Sequence, residues 1–171
     1  MRSTRLKDRD RSGPQSPWGE VVPGLWMGGH PWTDPAGELR PVVVGSEFDL
    51  VIGLYARSGH GPDPRVEHLV AEMPDGPLTA AEPRPVQGLA RSAVSALDTG
   101  LSTLVRCRSG CNRSGLVIAQ VLVERGLPAA EAVALVRRRR SPWALNNDAF
   151  TSCLSAGLDV AVLLAGPDPL G

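Results

Sequence analysis

The segment "LVRCRSGCNRSGLVIAQVL", residues 104–122, runs from a short apolar stretch through a polar loop into a stretch with helical patterning. Two of the chain's three cysteines, Cys107 and Cys111, fall in this loop beside Arg108, Gly110 and Arg113. A loop between the end of a strand and the start of a helix is where open α/β sheets bind ligands. Successive backbone N–H groups in such a loop form an anion cradle, and the first N–H groups of the helix add positive potential. Small residues such as Ser109 and Gly110 permit the close backbone approach this needs. Cys107 falls at the base of the loop, where the same field favours thiolate over thiol and makes a nucleophile at neutral pH. Arg113 closes the other side with a planar fork suited to two phosphate oxygens.

The flanking sequence places the loop in a layered α/β domain. "EVVPGLWMGG", residues 20–29, has apolar residues on either side of Pro23-Gly24 and predicts a hairpin. "FDLVIGLYA" (48–56), "RVEHLVAEM" (65–73) and "STLVRC" (102–107) read as strands. "VQGLARSAVSALDTG" (86–100) has helical spacing with Gly100 as its stop, and three further helices are expected over 114–125, 129–140 and 148–164. A strand-helix-strand step followed by helices predicts a small central mixed sheet flanked by helices.

Composition narrows the function classes. At 171 residues, with 42% hydrophobic and 21% charged residues, the chain suits one domain. We expect a disordered arm over 1–17, the folded domain over 18–166 and a short tail over 167–171. Zero formal net charge argues against a broad nucleic-acid surface. Three cysteines make no disulfide framework, and the first residues lack a signal-peptide core, so a cytoplasmic protein with reduced thiols is expected. The apolar run at 158–166 is too short for a membrane span. His30, His60 and His68 are scattered, and the cysteines show no zinc spacing, so no metal and no organic cofactor is expected.

The run "CRSGCNRS" resembles the signature of the protein tyrosine phosphatase superfamily, and its surroundings resemble the dual-specificity branch. "VVPGLWMGG" is similar to that branch's opening hairpin and "ALVRRRRSPWALNNDAF" to its closing helices. "MPDGPL" puts Asp75 32 residues before Cys107, where the branch has its acid loop. The resemblance implies that Cys107 is the nucleophile and that Arg113, with the loop from Arg108 through Ser109, Gly110, Cys111 and Asn112, binds the phosphoryl group. It implies that Ser114 stabilises the cysteine as leaving group and that Asp75 is the general acid and then base, with Glu72 and Asp63 in reserve. Asn147 matches an asparagine that supports the phosphate loop, and it equally suits an N-cap for the last helix. The substrate implied is a phosphorylated protein or a small phosphomonoester.

Arg106 departs from the pattern, because the branch usually has histidine before the nucleophile. Arginine also donates hydrogen bonds and stays cationic, but with a different reach and geometry. Cys111 is either a small loop residue or a thiol able to pair reversibly with Cys107. Arg137 to Arg140 read as a solvated helix end or as an attractor of acidic substrates. Trp26, Trp32 and Trp143 suit packing, with Trp32 or Trp143 at the pocket border. A short acid-loop region suggests a shallow pocket. A phosphate-binding pseudophosphatase, an RNA 5′-phosphatase and a rhodanese-like sulfurtransferase stay open as alternatives.

Overall fold

The computed structural model describes residues 15–76, 83–158 and 160. Its strands are β1 (Trp18–Val22), β2 (Leu25–Gly28), β3 (Pro31–Thr33), β4 (Leu39–Pro41), β5 (Leu50–Gly53), β6 (Glu67–Val70) and β7 (Thr103–Arg106). Its helices are α1 (Pro83–Asp98), α2 (Arg113–Glu124), α3 (Ala129–Arg139) and α4 (Asp148–Ala156). Most of the expected arm, 1–14, and the tail, 167–171, lie outside the described residues.

Five strands form one mixed sheet in the order β1-β2-β7-β5-β6. β1 and β2 are the antiparallel hairpin turned at Pro23-Gly24, and β2, β7, β5 and β6 run parallel. The two central strands, "LVIG" and "TLVR", are buried throughout, as strands covered on both faces must be. All four helices bury residues in one core cluster on one face of this sheet. The other face is covered by Val42, Val44 and Phe48, with Trp18, Trp26 and Trp32 packed around them. The mixed sheet is central and the four helices pack against it, as expected. The hairpin β3-β4, which carries no strong pattern in sequence, belongs to a separate two-stranded sheet.

Glycines punctuate the helices, at Gly100 as the sequence predicts and at Gly157 within the last expected helix. Leu101 N–H donates to Ala96 O (2.9 Å) and Gly100 N–H to Leu97 O (3.0 Å), with Gly100 at φ 78°. This paired closure is a Schellman motif, and it needs a residue that tolerates the left-handed region. Over the last expected helix, 148–164, α4 runs to Ala156, Gly157 interrupts the ladder at φ 93°, Leu158 and Val160 are helical again, and residues 159 and 161–164 lie outside the described residues. Leu158 beyond it is still buried in the core. α2 is the central helix, with nine of its twelve residues buried, and it starts where the polar loop ends.

Candidate active site

β7 delivers the loop at the middle of the sheet, between β2 and β5. Alternation along the strand sends Leu104 and Arg106 to one face and Val105 and Cys107 to the other. Cys107 is accordingly buried within the helix-side core. The loop lies against the end of β2 backbone to backbone. A Cβ on Gly29 would stand 2.8 Å from the Ser109 carbonyl carbon, and one on Gly110 would stand 2.8 Å from Gly29 N. Gly110 also sits at φ 74°. The two glycines "GG" that end the opening hairpin are thus a docking surface for the loop, a role absent from the sequence reading. His30 N–H fixes the register by donating to Arg108 O at 2.9 Å.

Among the described residues, the backbone N–H groups of Arg108, Ser109, Gly110, Asn112 and Arg113 donate no hydrogen bond. Those of Ser114 and Gly115 make none either, as expected for the first turn of a helix. So many unspent donors in one short loop are unusual in a folded chain, and an anion is their natural partner. Cys107 Sγ lies 3.3 Å from Ser114 Oγ, both atoms buried. Arg113 donates from Nη1 to Met73 O (3.0 Å), and its guanidinium carbon lies 6.0 Å from the Tyr55 ring centroid. Its buried Nε has no partner among the described residues, which leaves one arm of the fork unspent.

The Pro-Asp-Gly turn is tied to this loop by two asparagines. Asn112 Nδ2 donates to Asp75 Oδ2 at 3.0 Å, and Asn147 Nδ2 donates to Asp75 Oδ1 at 2.8 Å. Asn147 also caps α4, its Oδ1 accepting from Ala149 N–H (3.0 Å) and Phe150 N–H (3.4 Å). Asn147 is thus the N-cap of α4, and the same side chain contacts Asp75. Asn112 is not a side-chain cap for α2; its Oδ1 accepts from Asn147 N–H at 3.0 Å and its amide also reaches Asn146 Oδ1 at 3.3 Å. Of the reserve acids, Glu72 is exposed, and Asp63 is committed to Arg65, whose guanidinium holds its carboxyl below the usual range.

Arg106 does not join the loop. Its buried guanidinium donates from Nη2 to His60 O (2.8 Å) and Gly61 O (3.1 Å), on the sheet face opposite Cys107. Burial lowers it to about 10, so it stays charged at neutral pH. The histidines are not all scattered in space: His30 Nδ1 and His60 Nδ1 are 3.1 Å apart, and His30 Nε2 is 3.2 Å from Tyr55 O. Burial and the Arg106 charge push His30 down to about 4. No group of metal-binding side chains occurs among the described residues.

The arginine run divides by residue. Arg137, Arg138 and Arg139 are all exposed, and Arg137 also holds Ala144 O (3.0 Å) and Leu145 O (2.9 Å). Leu145 takes φ 54°, and its N–H donates to Cys111 O at 3.2 Å, so Arg137 braces a strained segment that supports the loop. Arg140 is lowered by burial. Cys107, Cys111 and Cys153 are free thiols, with Cys111 Sγ 3.9 Å from Ser109 O. Trp26 packs edge-on against Phe48 and Trp32 joins the same cluster; Trp143 is 38% exposed. No described helix is long and apolar enough to cross a membrane.

Neither the known family models nor the curated proteins include a match to this chain. Solved structures do match along most of its length. Human DUSP28 superposes with a TM-score of 0.67 at 24% identity, covering 90% of this chain and 99% of that one. Tk-PTP in its active form gives 0.61 at 20% identity over 82% and 95%. PTPMT1 in complex with PI(5)P gives 0.62 at 14% identity over 88% and 100%. The fold is that of the dual-specificity and tyrosine phosphatases, a small α/β domain with a central mixed sheet and four helices.

Proposed function

We propose that the chain is a cysteine-dependent phosphatase that hydrolyses phosphate monoesters through a phosphocysteine intermediate, without a metal or organic cofactor. The observation that carries this reading is the set of unspent N–H groups of Arg108, Ser109, Gly110, Asn112, Arg113, Ser114 and Gly115 around the base where Cys107 lies beside Ser114. The phosphoryl group sits in the cradle with its equatorial oxygens on those N–H groups and on the free arm of Arg113. Cys107 Sγ attacks phosphorus in line, and the bond to the leaving oxygen breaks as Asp75 donates its proton. Water then attacks phosphorus, Asp75 takes a proton from it, and the sulfur leaves with a hydrogen bond from Ser114 Oγ.

The asparagine clasp supports the role of Asp75, because it ties a carboxyl from a distant turn to the residue next to Arg113. A sulfurtransferase of rhodanese type needs no such acid. Arg106 lies outside the cradle, so its departure from histidine leaves the N–H groups as the source of positive potential. The substrate class is a phosphorylated protein or a small phosphomonoester handled in the cytoplasm, and nucleic acid is disfavoured by the zero net charge. A panel of phosphotyrosine and phosphothreonine peptides, a phosphoinositide and an RNA 5′-phosphate tests the reading. Turnover of at least one monoester is expected, dependent on Cys107; no turnover across the panel or with an aryl phosphate contradicts it.

A further inference from the structure

On the sheet face that holds Arg106, two histidines 30 residues apart in sequence share a hydrogen bond: His30 Nδ1 lies 3.1 Å from His60 Nδ1. The other ring nitrogen, His30 Nε2, lies 3.2 Å from Tyr55 O. These two contacts fix which nitrogens carry hydrogen. A carbonyl only accepts, so His30 Nε2 is the N–H of a neutral ring and His30 Nδ1 is left with a lone pair. The hydrogen between the rings therefore belongs to His60. The strut runs in one direction, from His60 Nδ1–H to His30 Nδ1 and from His30 Nε2–H to Tyr55 O.

The strut reaches the candidate active site at two points. The His30 backbone N–H donates to Arg108 O in the phosphate loop at 2.9 Å. The Tyr55 ring packs edge-on against the His30 ring, with centroids 5.0 Å apart, and the Arg113 guanidinium carbon stands over the same Tyr55 ring at 6.0 Å. The far end is anchored, because His60 O accepts from Arg106 Nη2 (2.8 Å) and from Val44 N–H (3.1 Å). We propose that His30 and His60 are positioning residues for the phosphoryl transfer: their shared hydrogen bond keeps Tyr55 under Arg113 and the Arg108 end of the loop in register, and it holds only while His30 is unprotonated. This inference rests on the phosphatase reading of the loop. The pair acts through the local stability of the loop and touches no substrate.

The two rings respond differently to acid. A proton taken up by His60 goes to Nε2 and leaves the strut whole. One taken up by His30 goes to Nδ1, the accepting nitrogen, and sets two N–H groups head to head. The charged groups facing the pair are cations: Arg106 from β7, and Arg40, Arg57 and Arg108 around a surface cavity that both rings line. Arg40 is shared with Asp34 and Glu38, and Asp63, three residues after His60, is spent on Arg65. Tyr55 is the other titratable group on that cavity. Burial first, and then the Arg106 charge, push His30 down to about 4, so the strut is whole at neutral pH and opens in acid.

The test uses the full chain and substitutions that keep or remove each bond. His30→Gln offers an amide oxygen to His60 and an amide N–H to Tyr55 O without a titrating group, whereas His30→Leu removes both bonds. His60→Phe removes the donor and His60→Gln returns one. Every variant keeps the backbone N–H that donates to Arg108 O. With an aryl phosphate at pH 7, the two apolar variants are expected to lose roughly tenfold in kcat/KM, the scale of one hydrogen bond, and the two Gln variants to stay within about threefold of the natural chain. The ratio of His30→Gln to natural activity, normalised at pH 7, is expected to reach about two near pH 4, where about half of His30 is protonated. Long-range 15N NMR at pH 7 is expected to find the ring hydrogens on His30 Nε2 and His60 Nδ1. Apolar variants that melt lower yet keep the natural kcat/KM, Gln variants no better than the apolar ones, a ratio flat with pH, or the opposite tautomers each overturn the proposal. If the natural chain turns over no aryl phosphate, the phosphatase reading fails and calorimetric binding of inorganic phosphate reads the strut instead. Tenfold weaker binding in the apolar variants then keeps the strut as a support of the anion loop, and equal affinities remove it.

Discussion

Cys107 and Arg106 are neighbours at the end of one strand and stand in opposite kinds of environment. On the Cys107 side, the polar groups come from one continuous loop and helix start, and many of its donors are left unspent. On the Arg106 side, the cation is buried against carbonyls of residues 60 and 61, next to His30 and His60. The first environment is built by local sequence and is organised for a ligand. The second is assembled from carbonyls 45 and 46 residues distant in the chain and supports the layer beneath. Positive charge next to a nucleophile in sequence is therefore not positive charge next to it in space.

Loss of the thiol should have the largest effect on this contrast. Cys107→Ser is expected to abolish hydrolysis of an aryl phosphate while phosphate or vanadate binding stays detectable by calorimetry, since the N–H cradle is unchanged. The acid comes next. Asp75→Asn should slow a substrate with a poor leaving group by roughly 10² to 10⁴, and one with a good leaving group by much less. Equal losses for both would move the acid to another residue.

The clasp should weigh less than the acid it holds. Asn147→Ser retains a capping oxygen for α4 but removes the amide that donates to Asp75. A loss of roughly tenfold is expected with poor leaving groups, little with good ones, and almost no change in melting temperature. A fall in stability with uniform loss of rate would make Asn147 a cap only.

On the other face the effects should be on stability. His30, held near 4 when folded and about 6.5 when unfolded, binds fewer protons in the native state between those values. Stability contributed by keeping it neutral is full above about pH 6.5 and is lost as pH falls toward 4, amounting to roughly 2 kcal/mol at pH 5. The melting temperature of the natural chain should drop over that window more steeply than that of His30→Gln. The smallest catalytic effect should come from Arg106→His, with kcat/KM changed by less than about tenfold and a modest move of the pH optimum. A large gain in activity would show that Arg106 suppresses the site.

The same contrast explains what the sequence made legible. Strands β2, β5 and β7 and helices α1 to α3 followed from periodicity and glycine stops, because local rules decide them. The grouping of Cys107, Ser114 and the loop N–H donors was readable for the same reason. The pairing of His30 with His60, the docking of Gly29 on the loop and the third asparagine, Asn146, were not, because each depends on long-range contacts with no spacing signature. The break at Gly157 within the last expected helix had no signal in the apolar run, because it is set by a positive φ at one glycine.

The central claim is covalent transfer of phosphate to Cys107. Asp75→Asn, in which both formation and hydrolysis of the intermediate slow, should be mixed with a good-leaving-group aryl phosphate, quenched within one turnover and mapped by mass spectrometry. Phosphate found on the peptide carrying Cys107, absent after Cys107→Ser and removed on longer incubation, is the predicted result. Turnover by the natural chain with no phosphate on Cys107 at any time would contradict the mechanism.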